Sequence, residues 1–305
     1  MTGGPASDVR GRRAVGLVVA AAACWSTLGV LGRWAFARGI APQTAVLWRT
    51  LLAAALGAGL LAIGWRPRLA DLRRGVRVVA PLGFVVALNY STFFHGVALL
   101  GVSVAIALFY AYPALTAAAA RWLLGERLTA TKTAALAASL AGCVLVSGAV
   151  EGTMGLASAA GTALVLLSAA SYAAYTVGMK RAVAVLPPAA AHVGALCTAV
   201  PWLAVAAWLV DRGPAPPREL AAWGLVAALA IVPTLVGYYL FARGLKSLEA
   251  STAAIVSTAE PAFAILLALV LLGESVSPLQ SVGMALILGA AVIVRWTARR
   301  PSPVA

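Results

Sequence analysis

The chain of 305 residues is 62% apolar and only 10% charged, with a formal net charge of +14. A soluble domain carries about 25% charged residues, so an ordinary globular protein in water is excluded. A transmembrane β-barrel is excluded as well, because its ten-residue segments of alternating polarity do not occur.

Runs of ~20 mostly apolar residues, each long enough to span a bilayer as a helix, follow one another along the chain. They predict an all-α polytopic membrane protein with ten transmembrane helices, at 14–36, 42–63, 76–98, 101–121, 131–149, 155–178, 189–210, 221–243, 249–272 and 277–297. The first span carries Trp25 and Ser26. Its "VVAAAACW" resembles the end of a signal peptide, but the apolar run continues to Gly32, which predicts a retained span. In the second, "LWRTLL" places Arg49 ~10 Å from the outer end at 1.5 Å per residue. An arginine at that depth either snorkels to the headgroups, anchors a substrate carboxylate, or pairs with an intramembrane acid.

Residues 78–120 contain no charge, too long a run for one helix and right for two joined at "HGVALLG". Asn89 and Tyr90 lie in the third span, and an amide in hydrocarbon needs a hydrogen-bond partner. Tyr110, Tyr112 and Pro113 lie in the fourth, which closes on Gly125-Glu126. Tyr172 and Tyr175 in the sixth are three residues apart and share a helix face. His192 in the seventh and His95 at the outer turn have no metal partner in spacing, and both read as loop or interface residues. Tyr238 and Tyr239, near the inner end of the eighth, read as pocket or interfacial-belt residues.

The ninth span holds Glu260 and Pro261, ~16 Å from either end. Ionisable groups at such depth face a cavity or a partner and are functional hypotheses by default. Pro261 lacks an N–H and frees a carbonyl one turn earlier. Pro113 and Pro261 are therefore expected kinks, and a kinked helix beside a carboxylate suits an ammonium group or a proton. The alternative is a structural carboxylate bonded to a neighbouring helix. Tyrosines and Trp25 around a few polar groups describe a small-molecule pocket, although interhelical contacts use the same residues.

The positive charge has its own explanation. With the N-terminus inside, 18 of the 23 Lys and Arg fall in inner segments and three in outer loops. That asymmetry places both termini in the cytoplasm, and nucleic acid is not expected as a partner. Cys24, Cys143 and Cys197 all fall within spans without metal-ligand spacing. No metal or cofactor is expected. No P-loop, H-E-x-x-H or G-x-S-x-G motif occurs, so neither ATP-driven pumping nor catalysis is expected.

An internal repeat organises the chain. Laid on Tyr238–Glu274 at an offset of 148 residues, Tyr90–Glu126 gives 14 identities in 37 positions, among them Pro113/Pro261, Gly125/Gly273 and Glu126/Glu274. "CWSTLGVLGR" from Cys24 similarly resembles "SYAAYTVGMK" from Ser171. The division falls into residues 1–150 and 151–305. Five spans per copy is odd, so the copies are expected to insert in opposite orientations, an architecture of transporters. Tyr112 takes the position of Glu260 in the first copy.

The motifs "YPALTAAAARWLLGERLT" and "EPAFAILLALVLLGESVSP", in a five-plus-five arrangement, resemble those of the EamA-type family of the drug/metabolite transporter superfamily. The resemblance implies a carrier of the inner, or plasma, membrane, monomeric or homodimeric, working by alternating access. It implies export of amino acids, their derivatives or other small metabolites through a cavity lined by spans one, three, four, six, eight and nine. The residues expected to meet substrate are Glu260, Arg49, Trp25, Asn89, Tyr90, Tyr110, Tyr112, Tyr172 and Tyr175. Protons and lipid are the other expected partners. A broad drug or aromatic-cation exporter, a carrier of a phosphorylated sugar and a non-transporting scaffold or sensor stay open as alternatives.

Overall fold

Apolar runs that must satisfy their own backbone in lipid form helices. In a computed structural model, which describes residues 5–64, 69–100, 102–146, 159–213, 215–272 and 276–297, every secondary-structure element is helical. In chain order these are α1 (Pro5–Ala37), α2 (Pro42–Gly64), α3 (Leu69–Leu100), α4 (Val102–Phe109), α5 (Tyr112–Leu124), α6 (Ala130–Val146), α7 (Ala159–Val185), α8 (Pro188–Asp211) and α9 (Leu220–Leu229). A π-helical stretch, Ala230–Gly237, joins α9 to α10 (Tyr238–Ser247), followed by α11 (Ala250–Ser257), α12 (Glu260–Leu272) and α13 (Pro278–Thr297).

Eight continuous stretches among these are long and apolar enough to cross a membrane, where ten spans were expected. The other two, α6 and α13, carry shorter apolar stretches, Ala130–Val146 and Pro278–Val294. A 17-residue helix such as α6 is ~25 Å long, under the ~30 Å hydrocarbon core. The sixth expected span runs past its predicted end to Val185, so Lys180 and Arg181 sit in its last two turns rather than in a loop. Gly273 and Glu274 lie outside the described residues.

Two expected spans are each divided. The fourth breaks at Tyr110-Ala111 between α4 and α5, and the ninth at Thr258-Ala259 between α11 and α12. A proline ring clashes with the carbonyl four residues back. For Pro113 and Pro261 those residues are Phe109 and Ser257, the last residues of α4 and α11. Both prolines then occupy the second position of the following helix, where no N–H is needed.

The helices of the first half pack on those of the second. α3 lies on α7 and α8, α2 on α8, α6 on α13, α5 on α7, and α1 on α10, the π stretch, α11 and α12. Small residues set the approach. A Cβ at Gly83 would stand 2.4 Å from the Thr198 carbonyl carbon, and one at Gly142 2.7 Å from the Gly283 oxygen. Large apolar side chains such as Ile63, Trp122, Leu220 and Val270 point outward, while Arg49, Asn89, His192 and Ser257 are buried. Such a surface faces lipid.

Candidate functional site

The breaks and the π stretch turn aromatic rings toward one place. Trp25 of α1 lies 4.8 Å from Tyr238, 5.3 Å from Phe241 and 6.5 Å from Tyr172, centroid to centroid. Tyr172 meets Tyr112 edge-on at 4.7 Å and stacks on Tyr175 at 5.9 Å. Tyr110 and Phe109 continue the chain beyond Tyr112, at 5.8 and 5.3 Å. Tyr175 returns to Tyr238 at 5.8 Å. Rings from α1, α4, α5, α7 and α10 thus form one connected cluster. Inside it is a void of about 10 Å³ bounded by Val86, Asn89, Tyr90, Tyr172, Tyr175 and Tyr238, about the space of one water. The rings are closed on one another.

Two ionisable side chains flank the cluster. Arg49 is 5% exposed, its Cζ lies 4.8 Å over the Tyr90 ring, and its Nε has no partner. Among the described residues no carboxylate pairs with it. The side chain is thus buried among the helices rather than exposed at the surface, and it makes no ion pair with Glu260 here. Glu260 opens α12 and is half-buried, within electrostatic reach of Tyr110, Tyr112, Tyr172 and Cys143. The N-terminal end of a helix favours a negative charge. The Tyr112 hydroxyl is 2.9 Å from the Ser257 hydroxyl, tying α5 to the last residue of α11. No group of three His, Cys, Asp or Glu able to hold a metal ion comes together among the described residues.

Residues 12–148 and 159–296 each match the model of the EamA-like transporter family. The chain belongs to that family. Like the rest of it, the protein falls in the drug/metabolite transporter superfamily, and it is a multi-pass membrane transporter carrying two EamA repeats. It is 26% identical over 296 residues to the uncharacterized transporter YwfM of Bacillus subtilis (strain 168), spanning 93% of this chain and 94% of that one. It also resembles a protein of known crystal structure, with a TM-score of 0.75 at 24% identity over 93% of this chain and 97% of the other. That likeness is one of fold.

Within this EamA fold the predicted residues divide by what they already touch. Trp25, Tyr90, Tyr110, Tyr112, Tyr172 and Tyr175 meet around the void or along the ring chain. Asn89 also lines the void, but its amide is engaged: Nδ2 donates to the Ser168 carbonyl and hydroxyl oxygens, both at 2.9 Å, and the Ser168 hydroxyl donates to the Asn89 carbonyl at 3.0 Å. It clamps α3 to α7.

His192 was expected at an interface and is instead 1% exposed. Its ring stacks on Tyr238 at 5.9 Å, and Nε2 lies 3.1 Å from the Thr234 carbonyl in the π stretch. Pro233 supplies no N–H to the helix ladder there, and the Thr234 hydroxyl donates to the Leu229 carbonyl five residues back at 2.8 Å. The wide turn sets the direction of Tyr238, which belongs to the cluster rather than to an interfacial belt. A proline in the middle of the eighth apolar run was the signal for it. A separate surface groove of about 530 Å³ between α1 and α9, lined by Trp34, Ala37, Arg38, Ala221, Gly224 and Leu225, shares no residue with the site.

Proposed function

We propose that this EamA-like transporter is a secondary carrier that exports a small zwitterionic metabolite, an amino acid or a derivative, by alternating access. The observation that carries this reading is Arg49, buried, stacked on Tyr90 and without a counter-ion among the described residues. An unpaired buried cation is costly, and a substrate carboxylate would supply the missing charge through a bidentate contact. At the other end of the cluster Glu260 would meet the ammonium group or a proton. The rings between them offer faces to an apolar body and to a cation. Outward transport then follows from proton entry through Glu260 as substrate leaves.

The ten-span, inverted arrangement is part of the same proposal. Counting α4 with α5, α9 with α10 and α11 with α12, the contacts fall into matched sets. Span two meets seven and five meets ten; three meets six as one meets eight, and four meets six as nine meets one. A two-fold relation between halves would produce that pattern. The charge distribution supports a plasma-membrane protein with both termini in the cytoplasm.

The test is solute flux in proteoliposomes with labelled amino acids, amines and aromatic cations, each with and without a pH gradient. Uptake of a zwitterion is expected, with Arg49→Ala reducing it about 10-fold or more, the loss of one charge-assisted contact, and Glu260→Gln removing its dependence on the gradient. The ring chain also suits a second reading, an aromatic-cation exporter. Cation flux indifferent to Arg49→Ala would favour it, and no flux of any solute by folded protein would favour a scaffold.

A further inference from the structure

The Gly-Glu pair that closes α5 has no part in the site above, yet Glu126 is 6% exposed, an unusual depth for an acid next to a turn. Gly125, at φ 68°, ends α5 in the left-handed conformation that glycine takes freely. The turn carries Glu126 into the second repeat. Its Oε1 accepts the Ala250 N–H at 2.5 Å, and its Oε2 accepts the Ser251 N–H at 3.0 Å and the Ser251 hydroxyl at 2.6 Å. Those donors belong to the first turn of α11, where helix N–H groups lack partners and negative charge is favoured.

Other polar contacts surround this one. Lys132 of α6 pairs with Glu249, the residue before α11, and donates to the Ser251 hydroxyl at 3.3 Å and the Arg127 carbonyl at 3.2 Å. Lys180 of α7 donates to the Leu245 and Leu248 carbonyls at 2.9 and 2.7 Å, at the end of α10. At its far end α11 is tied by Ser257 to Tyr112 in the ring cluster. All eight residues of α11 are buried. Its counterpart α4 is looser: Val104, Ile106, Ala107, Leu108 and Phe109 are only half-buried. The second repeat has Gln280 where the first has Lys132, and Gln280 caps its own helix by exchanging hydrogen bonds with Ser277.

We propose that α11 is a plug on the cytoplasmic side of the transport path, and that Glu126, with Lys132, Glu249 and Ser251, is the latch that holds it shut. The conformation described here is closed on that side. The proposal rests on the transport reading, since a plug needs a path. The chemistry of the latch suits a reversible contact. The desolvation cost of buried charges offsets most of their attraction, so the latch fixes geometry while adding little net stability. Water entering as it opens solvates each group again, which an apolar seam would not allow.

The test places a single reporter thiol, Ala254→Cys, in α11 of a Cys24→Ser, Cys143→Ser, Cys197→Ser protein. A membrane-impermeant maleimide is then applied to one face of sealed vesicles at a time. Slow labelling from the cytoplasmic face is expected, rising about 10-fold with Glu126→Gln through loss of charge-assisted hydrogen bonds, with no change from the outer face. An unchanged rate in monodisperse Glu126→Gln protein overturns the latch. Should that variant fail to fold, Ser251→Ala removes one hydroxyl and is expected to give about a threefold rise; an unchanged rate overturns the latch there too. Faster labelling without flux of any solute would leave the clamp on α11 standing and sink the transport reading. Flux with unchanged labelling would sink the latch alone.

Discussion

Single residues separate here by whether they are already satisfied. Arg49 is held by a cation–π contact of the order of 1–2 kcal/mol, against a desolvation cost of several kcal/mol for a buried ion. The cost is the larger, so Arg49→Met is expected to raise the melting temperature in detergent while reducing zwitterion flux. A large fall in melting temperature would make Arg49 a structural residue. Asn89 predicts the opposite sign. Its amide donates twice to Ser168, and interhelical polar contacts in membranes contribute about 0.6 kcal/mol each, up to about 1.7. Asn89→Ala should therefore lower the melting temperature by a matching small amount, measured in the same detergent. Arg49 and Glu260 were legible in the sequence because a charge stands out in an apolar run. The depth of Glu126 and His192 was not. Glu126 is buried against α11 of the opposite repeat and His192 against the π stretch and Tyr238 of its own, and no local pattern records either contact.

At the scale of helices, the prolines were the readable signal. Pro113 and Pro261 each end a short helix at the residue four positions back, and both breaks open beside the ring cluster. The ends of the outermost pair were read with uneven success. The predicted span 277–297 matches α13, Pro278–Thr297, whereas the predicted span 131–149 is described only as α6, Ala130–Val146, and hydropathy has no sharp edge at a helix end. These two helices pack closely through Gly142 and Gly283, where a Cβ on either would stand 2.7 or 2.8 Å from the other's carbonyl oxygen. Neither contributes a ring to the cluster. Gly142→Val is accordingly expected to destabilise by about 1–3 kcal/mol, the usual cost of overpacking, and to leave the substrate KM unchanged. A shifted KM with unchanged stability would mean that this pair moves with the site.

For the molecule as a whole, sidedness is the property on which export, the latch and the inverted repeat all depend. On the proposed reading the basic residues draw both termini to the cytoplasm, and an odd number of spans per repeat would then put the connection between repeats on the opposite side. The shorter apolar stretches of α6 and α13 make this a demanding case. If α6 failed to cross, the first copy would have four spans, the junction would stay in the cytoplasm, and the copies would insert in parallel. Reporter fusions decide between these arrangements. A fluorescent protein that folds only in the cytoplasm should light up when fused after residue 305 and stay dark when fused after residue 152. Alkaline phosphatase, active only outside, should show the reverse. Fluorescence at both sites would mean four spans in each copy and would overturn the inverted repeat, leaving the matched helix contacts as a two-fold with its axis along the membrane normal. Fluorescence only at residue 305 would place α11 toward the cytoplasm, where Glu126 and Lys132 could act as its latch.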